Sequence, residues 1–170
     1  MSVWRTHLLS VDPGEHSGWV LWQCLAAQVW AMVRRGRVED ADAVDIMAVL
    51  AELQDGVGDW RGQELVIEGQ YIGPNEQAAI RLIERRCAWV DAAEIAGIQC
   101  DPPVNPSSWI AAMTRGCPGR TSTERIEEAC RRRWPSLDLT GDVAAAALLG
   151  AWWIERHGGV ACAPSGEDES

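Results

Sequence analysis

The spacing of apolar residues divides the first half of the chain into strands and one helix. The segment THLLSVD alternates into an apolar strand that ends at Asp12, and a PGEHSG turn follows it. Two further strand-like runs, WVLWQC and QVWAMVRRG, follow at the spacing of hairpins. Three successive strands joined by short turns predict an antiparallel meander.

The next segment, DADAVDIMAVLAELQDG, changes to the period of a helix and ends at a glycine. The residues expected on its apolar face are Val44, Met47, Leu50 and Leu53. The run ELVIEG after it predicts a fourth strand. Because a helix crosses over to reach this strand, we expect it to lie parallel to a neighbour in the sheet.

The second half of the chain is predicted to be mainly helical. A long helix runs from Asn75 to about Ala96, and its candidate apolar positions are Ala79, Leu82, Ile83, Cys87, Val90 and Ile95. GIQCDPP predicts a short fifth strand. Three more helices correspond to NPSSWIAAM, STERIEEACRRRW and TGDVAAAALLGAWWIERHG, and the loop TRGCPGRTS separates the first two. The prediction is an α/β fold with a mixed five-stranded sheet, three antiparallel strands and then two parallel ones, flanked by helices.

The composition is that of one globular domain. The chain has 170 residues, and we expect a domain over residues 1–158 and an acidic disordered tail over 159–170. No apolar run reaches the roughly 18 residues that a membrane span needs, and the N-terminus has no signal-peptide pattern, so we expect a cytoplasmic protein. None of the six cysteines forms a CxxC pair, which argues against a zinc site.

The charge is unevenly distributed. The net charge is −10, which disfavours nucleic-acid binding over the whole surface. However, residues 81–135 contain nine Arg and seven acidic residues, whereas the remainder contains six Arg and eighteen acidic residues. A polyanion is therefore expected to meet one face only. The chain has no Lys, so its phosphate contacts have to come from Arg, backbone amides or hydroxyls.

Three carboxylates stand at the ends of apolar elements. Asp12 ends the first strand, Glu68 ends the fourth, and Asp142 opens the last helix. If the first and fourth strands are neighbours, Asp12 and Glu68 lie side by side, and such charges need a compensating cation. Magnesium takes one or two carboxylates and keeps waters for substrate phosphates, and two ions about 4 Å apart can assist an in-line phosphoryl displacement. Taken singly, these residues have simpler roles: a turn former, an acid exposed at a strand end, and a first-turn acid.

These segments resemble, in order, those of the RuvC-type Holliday-junction resolvases of the ribonuclease H-like superfamily. LLSVDPGEHSGWVLW is similar to the opening motif, and VIEGQYIGPN to the second motif, a strand-end Glu followed by an aromatic. RLIERRCAWVDAAEIAGIQC resembles the long helix of the family, and VNPSSWIAAMTRGCPGRTSTERIEEAC its helix, basic loop and next helix. GDVAAAALLGAWW is similar to its last helix. The compact sequence suits a phage-type member.

The resemblance implies catalytic metal ligands at Asp12, Glu68 and Asp142. The family usually has a fourth acid or a His three residues before the last Asp, and Leu139 stands there. Asp138, one residue further back, is the candidate substitute, because positions four apart share a helical face. The alternative role for Asp138 is that of a loop or N-cap acid.

The resemblance also implies residues that bind DNA. Tyr71 matches the aromatic that stacks on a base near the crossover, and the alternative is that it packs under its loop. Phosphate contacts are expected from the arginines that flank the Gly/Pro loop, namely Arg115, Arg120 and Arg125. The arginines at 131–133 are equally basic, but they suit a solvated helix end.

The activity implied is that of a Mg²⁺-dependent, structure-selective endonuclease, a crossover junction endodeoxyribonuclease of DNA recombination and repair. We expect Mn²⁺ to substitute for Mg²⁺, and paired symmetric nicks that leave 5′ phosphates. Because a four-way junction has two equivalent strands to cut, a homodimer is expected, formed through the helix from Asn75 to Ala96.

Three alternatives stay open at this point. One is a related nuclease that acts on other branched DNA or on structured RNA. Another is a protein that binds junctions without cutting them, since Leu139 replaces the fourth ligand. An actin-like nucleotide-binding fold also begins with a strand and a D-x-G turn, but the chain is too short for two such lobes.

Overall fold

The computed structural model describes residues 6–14, 16–39, 42–69 and 75–164 of the chain. The strands are β1 (His7–Asp12), β2 (Gly18–Ala26), β3 (Val29–Arg37), β4 (Glu64–Ile67), β5 (Gln99–Cys100) and β6 (Val160–Cys162). The helices are α1 (Ala43–Val57), α2 (Glu76–Ala96), α3 (Pro106–Met113), α4 (Ser122–Arg133) and α5 (Gly141–Arg156).

The sheet confirms the predicted mixed topology. Its strand order is β5-β4-β1-β2-β3-β6. β1, β2 and β3 are antiparallel neighbours, β4 lies parallel to β1, and β5 lies parallel to β4. The predicted arrangement of three antiparallel and two parallel strands is therefore present.

A sixth strand extends the sheet beyond the prediction. Val160–Cys162 pairs parallel with Val29–Ala31 of β3. The sheet therefore runs past the domain boundary predicted at residue 158, and the first residues of the predicted tail belong to it. Three residues are too few to show the alternation by which a strand is recognised in sequence.

Alternation along the strands builds one hydrophobic core on each face of the sheet. Leu8 and Val66 face a core shared with α3, α4 and α5. Leu9 and Leu65, their chain neighbours, face the other core, shared with α1 and α2. Successive side chains of a strand point to opposite faces, so β1 and β4 are buried on both sides. Asp12 and Glu68 therefore stand at the ends of strands that are buried on both faces.

The buried faces of α1 and α2 differ from those predicted. On α1, Ile46 is buried with Leu50 and Leu53, whereas Val44 is 75% exposed. On α2, the buried residues are Ala79, Trp89, Ala92 and Ala93. Of the positions predicted for α2, Cys87 and Ile95 are exposed and three others are half-buried. Apolar residues occur on more than one side of each helix. The side that is buried is therefore decided by packing between α1, α2 and the sheet.

The helix ends follow their capping signals. Asn75 caps α2 through its side chain, which accepts from the Ala78 amide at 3.2 Å. Thr121 and Glu124 form a capping box at the start of α4. No helix in the described ranges combines the length and apolar character that a bilayer crossing requires.

Candidate active site

The pairing of β1 with β4 brings the first two predicted carboxylates together. In the parallel register Val11 lies opposite Ile67, and the Glu68 amide donates to the Val11 carbonyl at 3.0 Å. Asp12 and Glu68 therefore leave the same edge of the sheet on neighbouring strands. This is the adjacency that the sequence predicted from the crossover connection.

The start of α5 brings the third carboxylate to the same edge. One Asp142 oxygen accepts a hydrogen bond from the backbone N–H of His16, in the β1–β2 turn, at 3.0 Å. A Cβ atom added to Gly14 would lie 2.7 Å from the Asp142 carboxyl carbon, so any larger residue there would displace the carboxylate from its present position. The Gly141 amide donates to the Glu127 side chain at 2.9 Å, which ties the start of α5 to α4.

The three carboxylates interact electrostatically. Desolvation raises the pKa of Asp12 well above its usual range, and the charges of Glu68 and Asp142 raise it further, whereas a backbone hydrogen bond from Gly14 lowers it. The pKa of Glu68 is raised to about 7, first by desolvation and also by the charge of Asp142. No ion pair offsets the raised pKa values of Asp12 and Glu68. In the described part of the chain, none of the three carboxylates pairs with an Arg or His side chain.

A buried tryptophan holds Glu68. The indole Nε1 of Trp109, on α3, donates to Glu68 Oε2 at 2.8 Å, and this hydrogen bond lowers the Glu68 pKa against the desolvation that raises it. Trp109 itself is 0% exposed. Trp109 was not among the residues predicted for the site, because its partner lies 41 positions away and nothing in the local sequence marks the contact.

Asp138 does not lie on the helix of Asp142. α5 begins at Gly141 with Thr140 as its N-cap, so Asp138 lies in the preceding loop and the expected sharing of a helical face does not apply. Leu139, at the position where the family usually has its fourth ligand, is buried in the core. Asp138 is exposed and lines the same cleft as Asp142.

That cleft has a volume of about 390 Å³, and the wall formed by the end of β3 is basic. Arg35 and Arg37 line it from the end of β3, together with His16 from the β1–β2 turn. His16 and Arg37 both contact the Glu39 carboxylate, at 2.6 and 2.8 Å. These arginines were not predicted as site residues. The run VRRGR gives no local sign of its position, and only the pairing of β3 with β2 places it beside the cleft.

The predicted DNA-binding residues are only partly described. Tyr71 lies outside the described residues. Arg115 and Arg120 are exposed on the loop between α3 and α4, and Arg125 is partly buried at the start of α4. The Arg120 amide donates to Glu124 of the capping box at 2.6 Å, which fixes the end of the loop.

The arginines at 131–133, the other candidates for phosphate contacts, are largely engaged in ion pairs. Arg131 and Arg132 both pair with Glu128, and Arg133 pairs with Glu155. Their charges are thus partly compensated within the protein. An additional arginine, Arg85 of α2, donates to the Gly14 carbonyl at 3.3 Å and lies beside the turn that contacts Asp142.

The carboxylates fit a hard divalent cation. Their oxygens are the donors that Mg²⁺ prefers. The pKa of Asp12 is raised first by desolvation and then by the charges of Glu68 and Asp142, and a cation would favour the charged carboxylate against both effects. Within the described ranges, no group of three or more His, Cys, Asp or Glu side chains is arranged to hold one ion as it stands. Mg²⁺ needs only one or two carboxylates, since water and substrate phosphate complete its octahedron, so the site meets its requirement.

Comparison with known proteins identifies the fold. No family model matches the sequence, and no curated protein matches it either. Among solved structures, a Thermus thermophilus RuvC in complex with a Holliday junction substrate superposes with a TM-score of 0.62 at 18% identity, over 90% of this chain and 97% of that one. A second T. thermophilus RuvC structure gives 0.60 at 17% identity, over 89% and 96%.

A eukaryotic structure is also similar. The yeast mitochondrial Holliday junction resolvase Ydc2 matches with a TM-score of 0.56 at 10% identity, over 89% of this chain and 81% of that one. The likeness to all three structures extends over about nine-tenths of this chain. The chain therefore has the ribonuclease H-like fold of the RuvC-type Holliday junction resolvases.

Proposed function

We propose that this protein is a Mg²⁺-dependent endonuclease that resolves four-way DNA junctions by paired nicks. The observation that carries the proposal is the convergence of Asp12, Glu68 and Asp142 at one sheet edge, with mutual charge effects and no ion-pair partner among the described residues. Desolvation and the neighbouring carboxylates raise the pKa values of Asp12 and Glu68, so keeping these acids charged is costly to the fold, which is typical of a site built for a cation.

In this proposal the three carboxylates would hold divalent metal. Two bound ions would supply activation of a water and charge stabilisation at the departing 3′ oxygen. Asp12 and Glu68 provide oxygens from adjacent strands, and Asp142 provides them from α5. Asp138 is proposed as an additional ligand from the loop before α5, since it lines the cleft beside Asp142.

DNA is proposed to contact the basic side of the molecule. Arg115, Arg120 and Arg125 would bind phosphates around the α3–α4 loop, and Tyr71 would stack on a base. Arg35 extends the positive surface along the cleft wall, whereas the charge of Arg37 is partly compensated by its ion pair with Glu39. This clustering allows a protein of net charge −10 to bind a polyanion on one face.

A homodimer is proposed to present two such sites to the two equivalent strands. The interface would form along α2, from Asn75 to Ala96. Its outer face includes Ile80, which is 47% exposed, with half-buried Ile83 and exposed Cys87 at helical spacing. The two RuvC structures and the yeast resolvase provide the analogy for this function.

A junction-cleavage assay tests the proposal. Wild type is expected to nick a synthetic four-way junction in Mg²⁺ or Mn²⁺, and Asp12→Asn to bind the junction without cutting it. Cleavage by Asp12→Asn at the wild-type rate would overturn the assignment of the site. Flap, duplex and structured-RNA substrates in the same assay distinguish a junction resolvase from nucleases of broader specificity.

Junction binding without cleavage is the second candidate function. It is favoured by the burial of Leu139, which leaves no ligand at the position where the family usually has its fourth, and by the lack of a preassembled three-ligand set in the described ranges. It predicts specific binding of the junction by wild type with no nicks in any divalent metal.

A further inference from the structure

Trp109 reaches Glu68 because the end of β4 is tied to the start of α3. Glu68 forms an isolated parallel bridge with Val104. The Val104 amide donates to the Ile67 carbonyl at 2.9 Å, and its carbonyl accepts from the Gly69 amide at 2.7 Å. Asn105 then caps α3, so the backbone on both sides of the contact is fixed. The placement of Trp109 against Glu68 is thus built into the fold.

The indole engages one of the two Glu68 oxygens. Trp109 Nε1 is a donor only and contacts Oε2 at 2.8 Å. Oε1 accepts no hydrogen bond from the described residues. The ring of Trp109 is fully buried and belongs to the core under α3, α4 and α5, so it cannot swing away without disrupting that core. The Glu68 carboxylate is therefore held in one orientation with one oxygen free.

We propose that Trp109 is a positioning residue that restricts Glu68 to one-oxygen coordination and thereby favours Mg²⁺ and Mn²⁺ over Ca²⁺. The inference rests on the proposed function, since it concerns the same carboxylate. Mg²⁺ requires near-ideal octahedral geometry, which a single carboxylate oxygen suits. Ca²⁺ accepts six to eight oxygens in flexible geometry and uses bidentate carboxylates readily. With the indole on one lone pair of Oε2, bidentate binding of Ca²⁺ would have to use the remaining lone pair of that oxygen or displace the hydrogen bond.

The chain offers a matched control for this hydrogen bond. Trp153 Nε1 donates to Asp101 Oδ2 at 3.0 Å, and Trp153 is 5% exposed. Trp153 lies eleven positions after Asp142 on α5, which is about 16 Å along a helix axis. Trp153→Phe therefore removes the same kind of indole–carboxylate bond from the same core at a distance from the site.

Calorimetric titration of the full chain with Mn²⁺, Mg²⁺ and Ca²⁺ tests the inference. Trp109→Phe keeps an aromatic ring in the core but removes the pyrrole half of the indole with its N–H donor, and Trp153→Phe makes the same loss of volume elsewhere in that core. We expect the Mn²⁺ affinity of Trp109→Phe to fall about tenfold, as is common when a partner of a metal ligand is lost. We also expect the ratio of Ca²⁺ to Mg²⁺ affinity to rise several-fold. Trp153→Phe is expected to bind all three metals as wild type does.

The pattern across metals separates positioning from packing. A structural defect would weaken Mn²⁺, Mg²⁺ and Ca²⁺ binding together, so an unchanged Ca²⁺/Mg²⁺ ratio in Trp109→Phe overturns the inference. An equal change in Trp153→Phe overturns it as well. If Asp12→Asn loses metal binding and cleavage while Trp109→Phe matches wild type, the inference fails and the proposed function stands. If wild type neither binds metal nor cleaves, the proposed function itself fails.

A second measurement covers the case in which Trp109→Phe does not fold. In wild type labelled with ¹⁵N-tryptophan, the Trp109 indole N–H is expected to remain hydrogen-bonded when Mg²⁺ binds, with its resonance still shifted downfield. Loss of that shift on Mg²⁺ binding would mean that both Glu68 oxygens turn to the metal, which contradicts the proposal.

Discussion

Gly18 lies so close to Asp142 that a Cβ atom on it would stand 2.2 Å from the Asp142 carbonyl carbon and oxygen. Gly18 begins β2 and lies opposite Asp12 in the antiparallel register. The missing side chain thus lets the start of α5 approach the strand pair that ends in Asp12. The convergence of the site depends on this close packing of helix against sheet.

Gly18→Ala is expected to push the first turn of α5 away from β1. Overpacking of this kind typically costs about 1–3 kcal/mol of stability, and a displacement of about 1 Å in a catalytic group can cost roughly 100-fold in rate. Thermal unfolding and single-turnover junction cleavage measure the two effects.

Gly56→Ala is the matched control for Gly18→Ala. Gly56 lies in α1, and an added Cβ there meets nothing within 4 Å. Alanine in a helix is more favourable than glycine by roughly 0.5–1 kcal/mol, so this variant should be slightly more stable and should cleave normally. Wild-type cleavage by Gly18→Ala would contradict the packing argument.

The metal-free protein is expected to lose stability as the pH rises. The pKa of Glu68 is about 7 in the folded protein against an ordinary value of 4.5. The folded state therefore binds this proton more tightly than the unfolded state does. The resulting stabilisation is complete below about pH 4.5 and is lost as the pH rises through about 7, and Asp12, whose pKa is also raised, contributes in the same direction.

Glu68→Gln isolates the contribution of Glu68. Burial lowers the pKa of His7, so His7 acts in the opposite direction and destabilises the fold as the pH falls. Denaturant unfolding in EDTA at pH 5 and pH 8 should show a loss on the order of 1–3 kcal/mol in wild type. The loss should be smaller in Glu68→Gln, where the contribution of Asp12, whose pKa is raised first by desolvation, remains. Equal pH dependence in the two proteins would contradict the assignment, and Mg²⁺ should restore wild-type stability at pH 8.

The loop arginines are expected to carry the salt dependence of junction binding. Arg115→Gln and Arg120→Gln should each reduce the slope of log K against log salt by about one, because each removes one phosphate contact. Arg131→Gln is the control, since Arg131 is paired with Glu128 and is expected to change the slope less. Equal slopes for all three variants, measured by fluorescence anisotropy between low and moderate salt, would contradict this path for the DNA.

A charge on the outer face of α2 is expected to dissociate the proposed dimer. Ile80→Glu would have to bury its carboxylate in that interface, which is unfavourable without a partner. Light scattering after gel filtration should show a dimer for wild type and a monomer for this variant. Val44→Glu is the control, because Val44 is 75% exposed on α1 and lies outside the proposed interface. A monomeric wild type would contradict the proposal.

The sequence predicted the part of the site that follows from strand pairing. Apolar runs that end in Asp12 and Glu68, joined through a crossover helix, require parallel neighbours, and parallel neighbours place their C-terminal ends together. Asp142 was a candidate from its place at the start of the last helix, and the resemblance implied that it acts with the other two acids; α5 brings it to the same edge. These features depend on patterns of several residues and on element order, which the sequence displays directly.

The features that escaped prediction depend on contacts between distant segments. Trp109 acts through a side chain 41 positions away, and its role appears only after α3 is docked against β4. Val44 was wrongly predicted to lie on the buried face of α1. In the packed structure Ile46 is buried there and Val44 is exposed. Asp138 could not be judged without knowing that α5 begins at Gly141.

The pairing of Val160–Cys162 with β3 bears on how the protein can be handled in the laboratory. The acidic composition of the last residues suggests truncating the chain at residue 158. Truncation there would remove the three residues of β6 from the sheet and expose the edge of β3 at residues 29–31 to solvent. Uncovered strands of this kind recruit other strands and promote aggregation. Expression variants and affinity tags should therefore keep the chain intact through at least Cys162.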